Sequence, residues 1–176
     1  MRIEEEIKLD YSDVLFRPKR STLKSRKDVD LNRKYIFKHS KLSWKGTPII
    51  ASNMDGVGEI EVAKKLSSHN LMTALTKQHD IEQIGLINKN IKLHDSIALS
   101  CGTSADSYER LNNILKKYPK FKFICIDVAN GYSENFSHFV SEVRKKYPKR
   151  TIIAGNVVTA DMTQELVLSG ADIVKV

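Results

Sequence analysis

Residues 122–133 read KFICIDVANGYS, and this stretch decides the fold. With the preceding Phe121, its apolar residues occupy both parities. Phe121, Phe123 and Cys125 share a face with Asp127, while Ile124, Ile126 and Val128 share the other. A strand apolar on both faces belongs inside a parallel sheet that is covered on both sides. Asp127 stands at its carboxyl end, where a carboxylate is costly unless a partner or ligand meets it. Parallel α/β folds place their ligands at that end of the strands. Asn130 and Gly131 then shape the turn into the next helix.

The same unit repeats on either side. Apolar runs predict strands at 49–52, 71–76, 96–100, 151–154 and from 173 onward. Helical spacing falls between them, at 59–68, 81–88, 106–118, from Ser133 to Pro148, and 161–169. Asp80 and Ser133 are expected helix caps, and Gly170 closes the last helix. Before these units, 35–38 reads as a strand and 45–48 as a turn. Six strands with five intervening helices match an α/β (β/α)8 TIM barrel, truncated after about the sixth strand. Residues 1–45 read as an N-terminal extension packing on the barrel, and 46–176 as its first part. A doubly wound sheet is the alternative, but no GxGxxG turn is present. The first and sixth strands would keep open edges, which predicts self-association and a piece of a longer protein.

The chain's 176 residues suffice for one core. No apolar run approaches the roughly 20 residues that span a bilayer, so no membrane partner is expected. The acidic opening, MRIEEEIKLD, does not resemble a secretory signal, which predicts a cytoplasmic protein. Cys101 and Cys125 make neither a disulfide framework nor a metal pair. Cys125 reads as core. Cys101, in SCGTS, reads as a small loop or buried thiol rather than a nucleophile. His39, His69, His79, His94 and His138 show no paired metal spacing. The net charge of +8 is densest in 17–27, RPKRSTLKSRK. That run suits a solvated face, a phosphate contact or a nucleic-acid patch. It lacks interleaved aromatics and any nucleic-acid motif, so no nucleic-acid partner is expected.

Five strings in order, KLDYSDVLFRPKRSTLKSR, PIIASNMDGVG, FICIDVANGYSENF, AGNVVT and LSGADIVKV, resemble the IMP dehydrogenase/GMP reductase family. Within it they look more like GMP reductase. SNMDGVG replaces the dehydrogenases' SPMDTV, Asp127-Val128-Ala129 replaces their Asp-Ser, and 88–96 leaves no room for their inserted domain pair. The resemblance implies NADPH-dependent reductive deamination of GMP to IMP and ammonia, in purine nucleotide salvage, by a homotetramer. It implies cofactor contacts by Ser25 and Arg26 at the adenosine end, by Lys77, and by Asp127, Val128 and Ala129 at the nicotinamide side. Ser52 and Met54 are implied to approach the purine nucleotide. Asn156, whose amide suits a carbonyl or ribose hydroxyl, is either a ligand neighbour or a turn former. Thr76 and Gln78 flank Lys77 where many relatives carry histidines, and Gly56 stands where threonine is common. The family's nucleophilic cysteine, threonine, glutamate and potassium-holding loop are expected beyond Val176. No catalytic or metal-binding residue is therefore expected within the chain, and the 176 residues alone are expected to be inactive. The alternatives are a non-catalytic nucleotide-binding fragment and an IMP dehydrogenase.

Overall fold

The structure is a computed structural model that describes residues 5, 7 and 9–176. Part of the acidic opening, and Lys8 of the first quoted string, lie outside the described residues. The chain divides into two compact units, Met1–Asp30 and Leu31–Val176. Within the first, two 3-10 turns, Tyr11–Asp13 and Arg26–Asp28, are each closed by a capping box. In the second of these turns, the Ser25 hydroxyl accepts from Lys27 N at 3.2 Å, and Asp28 accepts from Ser25 N at 3.0 Å.

The second unit opens with an antiparallel hairpin of β1 (Arg33–Ile36) and β2 (Ser43–Gly46). A parallel six-stranded sheet follows: β3 (Ile50–Ala51), β4 (Met72–Ala74), β5 (Ile97–Cys101), β6 (Phe123–Asp127), β7 (Thr151–Gly155) and β8 (Ile173–Lys175). The strands neighbour one another in sequence order, every pair parallel. Between them run α1 (Ile60–Ser68), α2 (Ile81–Ile87), α3 (Ile91–His94), α4 (Ala105–Lys117), α5 (Glu134–Lys146) and α6 (Ala160–Leu168). This is the curled half-barrel that sequential right-handed βα units produce. A hydrogen bond from Lys175, at the end of β8, to Asn53, just past β3, crosses its mouth at 3.0 Å.

Three local expectations change. The stretch 45–48 does not turn immediately: Lys45 and Gly46 complete β2, whose alternating exposure buries Trp44. The interval 88–96 is not a plain loop. Asn90 accepts from Lys92 N at 3.1 Å and starts the single helical turn α3, so there are six intervening helices rather than five. Ser133 holds the N-cap position of α5, but its side chain makes no capping bond. Asp80 does cap α2, accepting from Glu82 N and Gln83 N at 2.9 and 2.8 Å.

The two parities of the strands feed two cores. Facing the helices, Ile97, Leu99, Ile124, Ile126 and Ile152 pack against Ala63, Ile84, Leu111, Val140 and Leu166. Each buried Ile, Leu or Val side chain among these contributes about 1.5–3 kcal/mol. Facing the interior, Met72, Ala74, Ala98, Phe123, Cys125 and Ile153 meet Phe37 and Trp44 of the hairpin. The Phe37 and Phe123 rings meet edge to face, with centroids 5.8 Å apart. The hairpin thus stoppers the amino-terminal end of the sheet.

Asp172, whose side chain is fully buried, secures that stopper. It accepts from His39 N at 2.8 Å, Ser40 N at 3.3 Å, Ile152 N at 3.2 Å and Arg144 Nη2 at 2.6 Å. His39 Nε2 also lies 2.8 Å from the Val167 carbonyl, and the Ser40 and Thr151 hydroxyls bond at 2.9 Å. An apolar hollow of about 460 Å³ remains beside the hairpin, lined by Tyr35, Ile36, Trp44, Ile50, Met72 and Ile173 among others. It lies at the amino ends of the strands, away from the rim where parallel sheets do chemistry.

Candidate functional site at the carboxyl rim

Parallel order puts every strand's carboxyl end on one rim. Ser52 and Met54 follow β3, Lys77 follows β4, Asp127 ends β6, Asn156 follows β7 and Lys175 ends β8. With Val128 and Ala129 directly after β6, seven of the nine residues singled out in the sequence are therefore brought to one edge. Ser25 and Arg26 belong to the other compact unit. There the Ser25 hydroxyl is engaged as a cap, and Arg26 begins the exposed turn.

Asp127 is the best-held of them. Asp127, Gly155 and Lys175 lie side by side across β6, β7 and β8. Two strand spacings, about 9.5 Å, separate the backbones of Asp127 and Lys175. Lys175 spans them over Gly155, which has no side chain to obstruct it. A Cβ there would sit 2.6 Å from Lys175 Cβ and 2.5 Å from its carbonyl oxygen. The ammonium pairs with Asp127 Oδ1, and both side chains remain partly exposed. Among the described residues nothing donates to Asp127 Oδ2. A held carboxylate with one oxygen unengaged at a strand mouth fits a carboxamide N–H or a ribose hydroxyl.

The loops around it are tied by their backbones. Val128 N donates to Gly155 O, and Asn156 N to Val128 O, both at 2.9 Å. Gly131 N donates to Asn156 O at 2.9 Å. That approach needs glycine, since a Cβ would fall 2.7 Å from the same oxygen. Asn130 Oδ1 accepts from Tyr132 N at 3.1 Å, the expected turn. Tyr132 Oη accepts from Val158 N at 2.8 Å and donates to Thr159 Oγ1 at 3.3 Å. Ala129 and the Asn156 side chain stand in the open, so backbone bonding at Asn156 leaves its amide unused.

On the other side of the mouth, the Met54 carbonyl accepts from Val57 N and Gly58 N, leaving its thioether side chain 64% exposed. Ser52 is half-buried. Gly58 O accepts from Thr76 N at 2.9 Å and lies 3.2 Å from His79 Nε2. Arg110 of α4 donates to His79 O at 2.6 Å and Ser100 O at 2.7 Å. Exposed Lys77 thus sits on a loop pinned before and behind.

Both cysteines are free and buried. Cys101 points to the helix layer, and burial pushes its thiol up to about 12. Burial raises Cys125, in the interior, to about 11, opposed by the Lys175 ammonium. Among the described residues no three His, Cys, Asp or Glu side chains cluster as a metal site would require, and no helix is long and apolar enough to cross a membrane.

Sequence reasoning missed Lys175 and Asn53. A signal for Lys175 existed: it is a lone base at the inward parity of IVKV, the mirror of the argument that selected Asp127. Asn53 gave none, because its partner is 122 residues away.

Residues 8–176 match the family described as the IMP dehydrogenase / GMP reductase domain. A GMP reductase of Caenorhabditis elegans is 50% identical over 177 residues, covering 99% of this chain and 49% of the relative. A GMP reductase of Klebsiella pneumoniae is 52% identical over 178 residues, covering 100% of this chain and 51% of the relative. The chain spans about half the length of these curated relatives. Among solved structures, an inosine 5′-monophosphate dehydrogenase from Legionella pneumophila superposes with a TM-score of 0.72 at 26% identity, over 93% of this chain and 48% of that one.

Proposed function

This chain belongs to the IMP dehydrogenase/GMP reductase family, and from that premise we propose that it supplies the first half of a GMP reductase barrel. The whole enzyme converts GMP, NADPH and two protons to IMP, ammonium and NADP. The observation that carries the reading is the identity of 50–52% with enzymes named GMP reductase, sustained along essentially the whole chain.

NADPH supplies hydride when bound; the residues of this chain orient it. Asp127 Oδ2 receives the carboxamide or ribose of the nicotinamide half, with the Val128 and Ala129 backbone alongside. Lys77 sets positive charge at the same mouth. Ser25 and Arg26 take the adenosine end, where a guanidinium fork suits a 2′-phosphate. Ser52 offers a hydroxyl and Met54 a polarizable surface to the purine, and the Asn156 amide is available to a carbonyl or hydroxyl. The protein acts in nucleotide salvage in the cytoplasm as a homo-oligomer, a tetramer. Potassium binds outside the 176 residues.

For these 176 residues themselves the reading is binding without turnover, because both cysteines are buried and held protonated. The test is GMP-dependent loss of reduced-nicotinamide absorbance by the whole protein, beside IMP-dependent reduction of NAD. Reduction of NAD with IMP, and no oxidation of NADPH with GMP, overturns the reductase reading.

A further inference from the structure

We propose that Lys175 is a positioning residue that couples the loop after β3 to the acid ending β6. The proposal deepens the functional reading and rests on it, in that Asp127 faces the cofactor and the 52–54 loop faces the purine nucleotide. Three observations carry it. Lys175 Nζ pairs with Asp127 Oδ1, which leaves Oδ2 as the oxygen presented to a ligand. The same ammonium donates to Asn53 Oδ1 at 3.0 Å, and Asn53 lies between Ser52 and Met54. The stem reaches both only because Gly155 leaves the intervening strand bare.

An ammonium has three donors in a tetrahedral arrangement. Two are committed, to a group just past the first strand of the sheet and to one ending its fourth. A shift of the 52–54 loop moves Asn53, redirects the ammonium and reorients the carboxylate. A partly exposed pair adds little to folding stability, so the consequence of this arrangement lies in orientation. Coupling of this kind is reciprocal: nucleotide seated on the loop raises affinity for the reduced cofactor, and cofactor raises affinity for nucleotide by the same factor.

The experiment measures NADPH dissociation constants by calorimetry, with and without saturating IMP, the product nucleotide that does not react with NADPH, on the unaltered protein and on Lys175→Met and Asn53→Ala. Melting curves check that each variant folds. The unaltered protein is expected to bind NADPH about fivefold or more tightly when IMP is present, the lower end of ordinary coupling. In both variants that ratio falls to about one. Because it is a ratio within one variant, a general loosening of the fold does not mimic its loss. Asn53→Ala, on a rim loop, serves if Lys175→Met fails to fold. An unaltered protein that binds both ligands without coupling overturns the proposal, as does coupling that persists in either folded variant. An unaltered protein that binds neither ligand overturns the functional reading itself and this proposal with it, an outcome distinct from both.

Discussion

Replacing Asp172 by alanine should cost about 3–5 kcal/mol of folding stability, the loss measured when one partner of a buried ion pair is removed. The structure sets the size. Asp172 is wholly buried and Arg144 nearly so, and alanine leaves that guanidinium without its carboxylate. The His39, Ser40 and Ile152 amides lose their acceptor as well. Each stranded donor costs about 1–3 kcal/mol when fully dry. The Arg144 guanidinium keeps four carbonyl contacts, to Gly170, Tyr147, Pro148 and Arg150, so part of its charge stays satisfied. We therefore expect the ion-pair range rather than the arithmetic sum. Against a typical total of about 5–15 kcal/mol, this removes about a fifth or more. Asp172→Asn keeps one acceptor oxygen and should lose about half as much. The assay is urea denaturation followed by fluorescence of Trp44, the sole tryptophan, which sits in the hairpin core that Asp172 secures. The midpoint should fall with little change in slope. A loss under about 1 kcal/mol for the alanine variant would refute the idea that this carboxylate seats the hairpin.

Asp127→Ala should weaken NADPH binding by about tenfold to a hundredfold, the worth of one hydrogen bond to a charged group; titration of NADPH fluorescence would check it, and unaltered affinity would remove Asp127 from the cofactor site. Gly155→Ala should cost about 1–3 kcal/mol, or more, by driving a methyl into β8, and it should reduce NADPH affinity by displacing Lys175; a melt and a titration on one sample test both. Both thiols should resist a disulfide reagent at mildly alkaline pH in the folded state and react fully in denaturant, since burial raises Cys101 to about 12 and Cys125 to about 11. The sign for stability follows: above about pH 9 the unfolded thiols ionise while the folded ones hold their protons, so stability should fall as pH rises from about 9 toward 12. A shallower alkaline decline in Cys101→Ala than in the parent would locate that share of the effect at Cys101, and an unchanged decline would remove it.

The barrel was legible because its signal is local and repeated. Strands β4 to β7 bury both faces, so parity failed only at chemically odd positions, and Asp127 was the clearest of these. Helix ends were legible where the side chain itself makes the cap, as at Asp80, and misleading where only the residue type matched, as at Ser133. Strand β2 was missed because Ser43-Trp44-Lys45-Gly46 offers one apolar side chain and ends on a glycine next to Thr47-Pro48. Its burial comes from Phe123 and Met72, far along the chain. The rim followed from topology alone. What joins its members did not: the bonds from Lys175 reach back 48 and 122 residues, and no periodicity encodes such a partner.

The stopper made by β1 and β2 has a consequence for how the protein is made. Its turn is held by Asp172, which leaves the ribosome 133 residues after His39. Throughout that interval of synthesis, Phe37 and Trp44 have no finished floor to occupy, and contacts of such sequence separation are slow to form. The nascent chain therefore travels with two greasy aromatics unsheltered, an obvious handle for a holding chaperone, and the bottom of the vessel is sealed only as its sixth stave arrives.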